Sequence, residues 1–329
     1  MAPAEDDISI EEKRVYAGSA GRTDAYVATE TGVVRVAISG DKVGEFELTA
    51  RDPARDVAVL ARADAADVLA VATDDDLLVA AIGGGRDVEP TTDDAAFSPV
   101  GIGPAVAVGV HDGAFLAADA AGGIHRVGLD GDFDATAGTD ATRVGDVNDP
   151  RSIDGPLVAA GDGVHRVVGT ASGAREDGAR SLESVGLSDA RDVAGAGVPL
   201  AATASGLYWL GNGWMSTDDG DATAVAADGD GHAMATVDGD LLVRGGGGAD
   251  VGDGADTTGA DVGNAGWDAD AWRVTDLPVD DRPAALGYGP GTAVAVTDAG
   301  TLCVDAGDGW RHQAIGVRGI GGVALAVVE

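Results

Sequence analysis

The chain has 329 residues, a formal net charge of −35 and only two lysines, Lys13 and Lys42. That length can bury a large core, as one big all-β domain or as two ordinary ones. No basic stripe exists for reading nucleic acid, and no stretch approaches the roughly 18 apolar residues of a membrane span. The single Cys303 rules out an intrachain disulfide or a cysteine cluster for metal.

An acidic, lysine-poor composition rich in Ala, Val and Gly suits concentrated salt, which screens charge to about 3 Å at 1 M. It is the composition of a protein from an extreme halophile, so the acidity is adaptation to solvent. The first twenty residues, MAPAEDDISIEEKRVYAGSA, carry neither an apolar signal core nor a twin arginine. A cytoplasmic location is the expectation.

In chain order, residues 1–12 read as a disordered acidic lead-in and 13–329 as a single domain. From Ala25 to Val36 an apolar run turns at Gly32 and a second run leaves as Val-x-Arg-Val. The same hairpin returns six times, with turn markers at Asp76, Gly123, Gly163, Gly206, Gly239 and Gly300. Their mean spacing of about 45 residues is that of four-stranded propeller blades. Gly and Asp suit two-residue hairpin loops, which demand positive φ.

A run of small residues precedes each hairpin, as in RDVAVLA, AVAVGV and RDVAGAG, as an innermost strand needs where blades converge. A more polar run follows, often with a tryptophan (Trp214, Trp272, Trp310), as on an outer strand. No 11-residue window sustains a helical period. The expected fold is all-β, a seven-bladed β-propeller of four-stranded antiparallel blades. Two features interrupt it. Gly245–Gly266 is a Gly/Asp low-complexity insertion in unit six, read as a solvated loop without metal-site spacing. The C-terminal run Val317–Val328 offers a second inner strand where Arg14–Gly18 already offers one for unit one, so the ring can close with either.

In unit seven the chain reads Asp305-Ala-Gly307-Asp-Gly309-Trp310, and unit five keeps a shortened form, Asn212-Gly213-Trp214. These are similar to the Asp-box of neuraminidase-type propellers, a structural turn without chemistry. The Arg-Ile-Pro tripeptide of the sialidases is missing, and none of Tyr16, Tyr26, Tyr208 and Tyr288 has a suitably spaced glutamate. Over nearly its whole length the chain resembles a family of haloarchaeal β-propeller proteins. That resemblance implies a fold and brings no activity with it.

Arginine placement is the distinctive pattern. Arg14, Arg55, Arg151, Arg191 and Arg282 recur at the same place, just before the inner strand of their units, and Arg318 does so for the C-terminal strand. At the rim of a propeller channel such guanidiniums can clamp carboxylate or phosphate. The competing reading pairs each with a neighbouring aspartate (Asp56, Asp149, Asp192 or Asp281) as a tie between blades. A second series, Arg35, Arg126 and Arg166, falls mid-blade, where salt bridging between blades is expected. His111, His125, His165, His232 and His312 are spread over four units and cannot easily meet at one metal. No nucleophile elbow, phosphate loop or dinucleotide fingerprint occurs.

Two classes of function remain. One is a non-catalytic scaffold that offers one face to a protein partner. The other is a small-anion binder, or a hydrolase or lyase, that uses the arginine ring. The former is favoured, with no cofactor, catalytic residue or metal ligand, a monomeric state, and neither nucleic acid nor membrane as partner.

Overall fold

The computed structural model describes residues 22–83, 97–129, 139–169, 180–245 and 266–328. The lead-in 1–12, the run Arg14–Gly18 with Arg14, and the insertion from 246 to 265 lie outside these residues.

The described strands assemble in chain order into seven four-stranded antiparallel sheets. Blade one takes β1 (Arg22–Thr29), β2 (Gly32–Ser39) and β3 (Lys42–Ala50). Blade two is β4 (Ala54–Leu60), β5 (Asp67–Thr73), β6 (Leu77–Ile82) and β7 (Ser98–Pro99). Blade three is β8 (Ala105–His111), β9 (Ala114–Asp119), β10 (Gly123–Leu129) and β11 (Thr139–Asp146). Blade four is β12 (Pro150–Asp154), β13 (Leu157–Ala160), β14 (Gly163–Val168) and β15 (Ser181–Gly186). Blade five is β16 (Ala190–Ala194), β17 (Leu200–Thr203), β18 (Gly206–Leu210) and β19 (Trp214–Asp218). Blade six is β20 (Ala222–Ala227), β21 (Ala233–Val237), β22 (Asp240–Arg244) and β23 (Trp272–Thr275). Blade seven is β24 (Pro283–Gly289), β25 (Thr292–Thr297), β26 (Thr301–Asp305) and β27 (Arg311–Ala314). A 3₁₀ turn, Ala269–Ala271, is the one helical element among the described residues.

The last strand, β28 (Gly322–Val328), returns to blade one as its innermost strand. It pairs with β1 from Arg22 opposite Val328 to Ala28 opposite Gly322. The ring is therefore closed by the C-terminal segment. Seven backbone registrations seal the seam, which removes the free sheet edges an open array would leave at that point.

The hairpins form as their turn residues dictate. Thr29 Oγ donates to Gly32 O at 2.7 Å, and Thr73 Oγ donates to Asp76 O at 2.7 Å. Where aspartate replaces threonine, Asp119 Oδ1 accepts the amides of Ala121 and Gly123 at 2.8 Å. Side chains thus bond turn carbonyls and amides that would otherwise be left orphaned.

Apolar faces bury between neighbouring blades. Val68, Val79, Phe115 and Val127 fill the layer between blades two and three, and Leu116, Ile124, Ile153 and Val158 the next. Near the axis only small residues fit. A Cβ on Gly109 would lie 2.4 Å from Ile153 O, and one on Gly321 would lie 2.0 Å from Arg55 O. Six of the seven inner strands also share a bulge at their second residue, namely Arg55, Val106, Arg151, Arg191, Thr223 and Ala284. A bulge turns two consecutive side chains toward one side and re-aims them. Here it sets the chemistry of the axis.

Candidate functional site: the central channel

The seven inner strands enclose a cavity of about 400 Å³. Ala, Val and Gly make most of its wall, with Asp56, Ser152, Asp154, Asp192, Thr223, Tyr288, Arg151 and Arg191 as its main polar groups. Tyr288 carries a phenol whose pKa is raised, chiefly by burial.

Because of the bulge, residues one and two past the start of an inner strand both reach the following blade. Arg151 Nη1 donates to Asp189 at 2.6 Å and to Ala190 O at 3.2 Å, both at the entry of blade five. Its Nη2 also holds Asp149 at 2.8 Å. Arg191 repeats the arrangement one blade on, with Asp221 at 2.7 Å and Ala222 O at 3.3 Å. Arg55 occupies the same strand position, but Pro104 stands where the next blade would supply the aspartate. It pairs instead with Asp74 in its own blade. Arg282 comes one residue before β24, outside the bulge position, and Arg318 lies in the loop before β28. Both are exposed, and neither has a carboxylate at ion-pair distance among the described residues. The arginines expected as one ring are thus three bulge residues of similar design and two loop residues of another kind.

The neighbouring aspartates differ from expectation as well. Asp149 does pair with Arg151, but Asp56 and Asp192 face the channel and bind backbone amides. Asp56 accepts Val57 N–H and, across the blade boundary, Val108 N–H, each at 2.9 Å. Asp192 accepts Val193 N–H at 2.9 Å, Val225 N–H of blade six at 2.8 Å, and the Ser152 hydroxyl of blade four at 2.5 Å. Asp154 accepts Gly195 N–H of blade five at 2.6 Å. Burial is the first cause acting on all three carboxyls. It pushes Asp56 up to about 8 and Asp192 up to about 6, and raises Asp154, against the amide and hydroxyl bonds that favour the charged form. Their mutual repulsion adds to the rise at Asp56 and Asp192.

The mid-blade arginines are not alike either. Arg35 pairs within its own blade, with Asp24 at 3.2 Å and Glu47 at 2.8 Å, because adjacent strands bring those carboxylates to its face. Arg126 and Arg166 each keep a buried Nε without a hydrogen-bond partner. Of the histidines, His125, His165 and His232 bond Asp119, Asp162 and Asp228 respectively. No group of three or more His, Cys, Asp or Glu among the described residues is arranged to hold a metal. In the Asp-box-like turn, Asp305 Oδ1 accepts Gly307 N–H at 2.8 Å and Gly309 N–H at 3.2 Å, a purely structural use. Trp214 likewise donates Nε1–H to Val185 O of blade four at 2.8 Å.

Sequence reasoning missed the channel aspartates as a group. The signal was the identical tetrapeptide Ala-Arg-Asp-Val at 54–57 and at 190–193. Those two segments place Asp56 and Asp192 at the same bulge.

These features define a seven-bladed β-propeller whose channel polar groups are built around blade junctions. The family model described as HVO_0234-like, beta propeller, matches residues 9–326, and the chain belongs to that haloarchaeal propeller family. No curated protein matches the chain. Among solved structures, AztD of Citrobacter koseri is similar at 11% identity and a TM-score of 0.49, with 91% of this chain and 83% of that one covered. Human WBSCR16 is similar at 14% identity and 0.48, covering 87% and 88%. PorZ of Porphyromonas gingivalis is similar at 13% identity and 0.39 over 63% of this chain, which spans only 27% of that protein. At these values the likeness carries no argument about function. No helix among the described residues is long and apolar enough to cross a membrane.

Proposed function

We propose that this protein is a non-catalytic β-propeller scaffold of a halophile's cytoplasm, a monomer that presents one propeller face to a protein partner. One observation carries the reading. Arg151, Arg191, Asp56, Asp154 and Asp192, the charged groups of the channel wall, all bond across blade boundaries. Groups spent in this way hold the ring together and are not free to bind or activate a substrate. The rest of the wall is mostly Ala, Val and Gly, and its Ser152 hydroxyl is itself spent across a blade boundary, on Asp192. A closed ring suits a platform whose recognition lies on its outer face.

Arg191→Ala tests the assignment. Melted in molar salt, the variant should lose stability by about 0.5–1.5 kcal/mol and keep whatever response the parent shows to added small anions. An anion-induced rise in melting point that Arg191→Ala abolishes, with parental stability, would instead place an anion at the channel mouth. Arg282 and Arg318, exposed and without an ion-pair partner among the described residues, favour that second reading, and the same melts of Arg282→Ala examine it. Purified in molar salt from its own cells, the tagged protein should elute in a stoichiometric complex that survives Arg282→Ala. Turnover of any substrate that depends on Asp56 or Asp192 would overturn the scaffold reading.

A further inference from the structure

The boundary between blades three and four concentrates positive charge in an otherwise acidic molecule. Arg126 follows Ile124 by two residues on β10, so it shares the face that packs Ile124 against Ile153 and Val158 of blade four. Arg180 precedes Leu182 by two residues and so turns back toward blade three, where Leu182 joins the same layer. Its Nη2 reaches across the boundary to Asp112 at 2.9 Å, in the turn that follows β8. His111 ends β8 on the same face as Gly109, which lies against Ile153.

Two donors at this boundary have no hydrogen-bond partner among the described residues. Arg180 is only 7% exposed at its side chain, and its Nη1 is buried without a hydrogen bond. Arg126 Nε is buried and unbonded as well. Arg166 Nε is unbonded too, but register puts a carboxylate across from that arginine and none across from Arg126. Arg35 lies opposite Glu47, and Arg166 lies opposite Glu183, whereas Arg126 lies opposite Thr142. The repeat places an arginine at all three positions, and blade three alone omits the facing glutamate while bringing in a second guanidinium.

Buried charged donors left unbonded are costly, and native structures satisfy them with protein, water or ions. Burial is the main influence on His111 and lowers its pKa. Asp112 opposes that fall, and Arg180 and Arg126 deepen it, so the imidazole is neutral near pH 7. Two guanidiniums and one carboxylate then leave a local charge of about +1, which one monovalent anion balances. The solvent for which this composition is suited is rich in halide. We propose that the crevice between blades three and four binds a single halide ion between Arg126 Nε and Arg180 Nη1.

Crystals of the full chain soaked in sodium bromide test this directly. The expected result is an anomalous difference peak between the two guanidiniums. Clear density for both arginines without such a peak overturns the proposal, as does a tetrahedral ion there that added phosphate supplies and bromide cannot displace. In solution, replacing potassium gluconate by potassium bromide at constant total potassium should raise the melting point saturably, by about 2–4 °C. Arg126→Gln should flatten that response, while Arg166→Gln, at the equivalent position of blade four, should keep it. A bromide response that survives Arg126→Gln unchanged refutes the site. Should Arg126→Gln fail to fold, the anomalous measurement on the natural protein decides alone.

Discussion

The channel carboxyls should make the fold lose stability as pH rises through neutrality. Asp192 has its carboxyl pushed up to about 6, chiefly by burial, against about 3.9 in an unfolded chain. The folded state therefore binds the proton more tightly. Its contribution is fully present below about pH 4 and is lost as pH climbs through 6. A gap of about two pH units corresponds to about 3 kcal/mol, or about 4 °C of melting point in a chain of this size. Asp56, pushed up to about 8, acts with the same sign and extends the loss through pH 8. The two repel each other, so their contributions do not add. Asp112, Asp119 and Asp228 have lowered pKa values and act oppositely, but only as pH falls below about 4. His111, lowered chiefly by burial, also favours higher pH, below its ordinary value of about 6.5. The comparison that isolates the channel is therefore parent against Asp192→Asn, melted in constant molar potassium chloride from pH 5 to 9. The amide loses one acceptor and should cost about 1–2 kcal/mol at pH 5. It cannot ionise, so its deficit should shrink as pH rises and vanish near pH 8. A deficit that stays constant across the range would refute the argument.

Other consequences are as concrete. Gly321→Ala introduces a Cβ at 2.0 Å from Arg55 O, backbone against backbone at the closing seam, and should destabilise by at least about 1–3 kcal/mol. A melting point within a degree of the parent would show that the seam can yield. Asp24→Ala strips Arg35 of a buried partner that is 3% exposed at its side chain and should cost about 2–4 kcal/mol by chemical denaturation. With a charge of −35, dialysis from molar salt to about 0.1 M lengthens screening from about 3 to about 10 Å and should lower the melting point steadily. A salt-independent melt contradicts the halophilic reading. Replacing residues 246–265 with a short Gly-Ser turn should leave the high-salt melt unchanged, since the segment holds only Val251 and Val262 as sizeable apolar residues.

The architecture was legible because it is a local property repeated seven times. A hairpin needs only its own alternation and turn chemistry, and Gly32, Asp76 and their counterparts announce both within a dozen residues. Repetition then specifies the ring, since each hairpin can bury its faces only against copies of itself. The small residues of the inner runs followed from the same geometry, crowding at the axis.

The sequence by itself determined blade number, strand order, the polar outer rim and the acidic surface. All of these rest on nearest-neighbour periodicity or on composition. Tertiary structure alone decided which end closes the ring, because Arg14–Gly18 and Gly322–Val328 read alike as inner strands and only pairing with Arg22–Thr29 separates them. It also decided what Arg55, Arg151 and Arg191 touch. A bulge adds one residue to the inner strand and turns Arg and the following Asp or Ser to one side, which carries Arg151 and Arg191 to the next blade, while Arg55 finds Asp74 of its own blade. That shift of a single residue leaves no trace in hydrophobic pattern. It explains why Asp192, adjacent to Arg191 in sequence, binds the amide of Val225, while Arg191 finds Asp221, thirty residues away, at the threshold of the next blade.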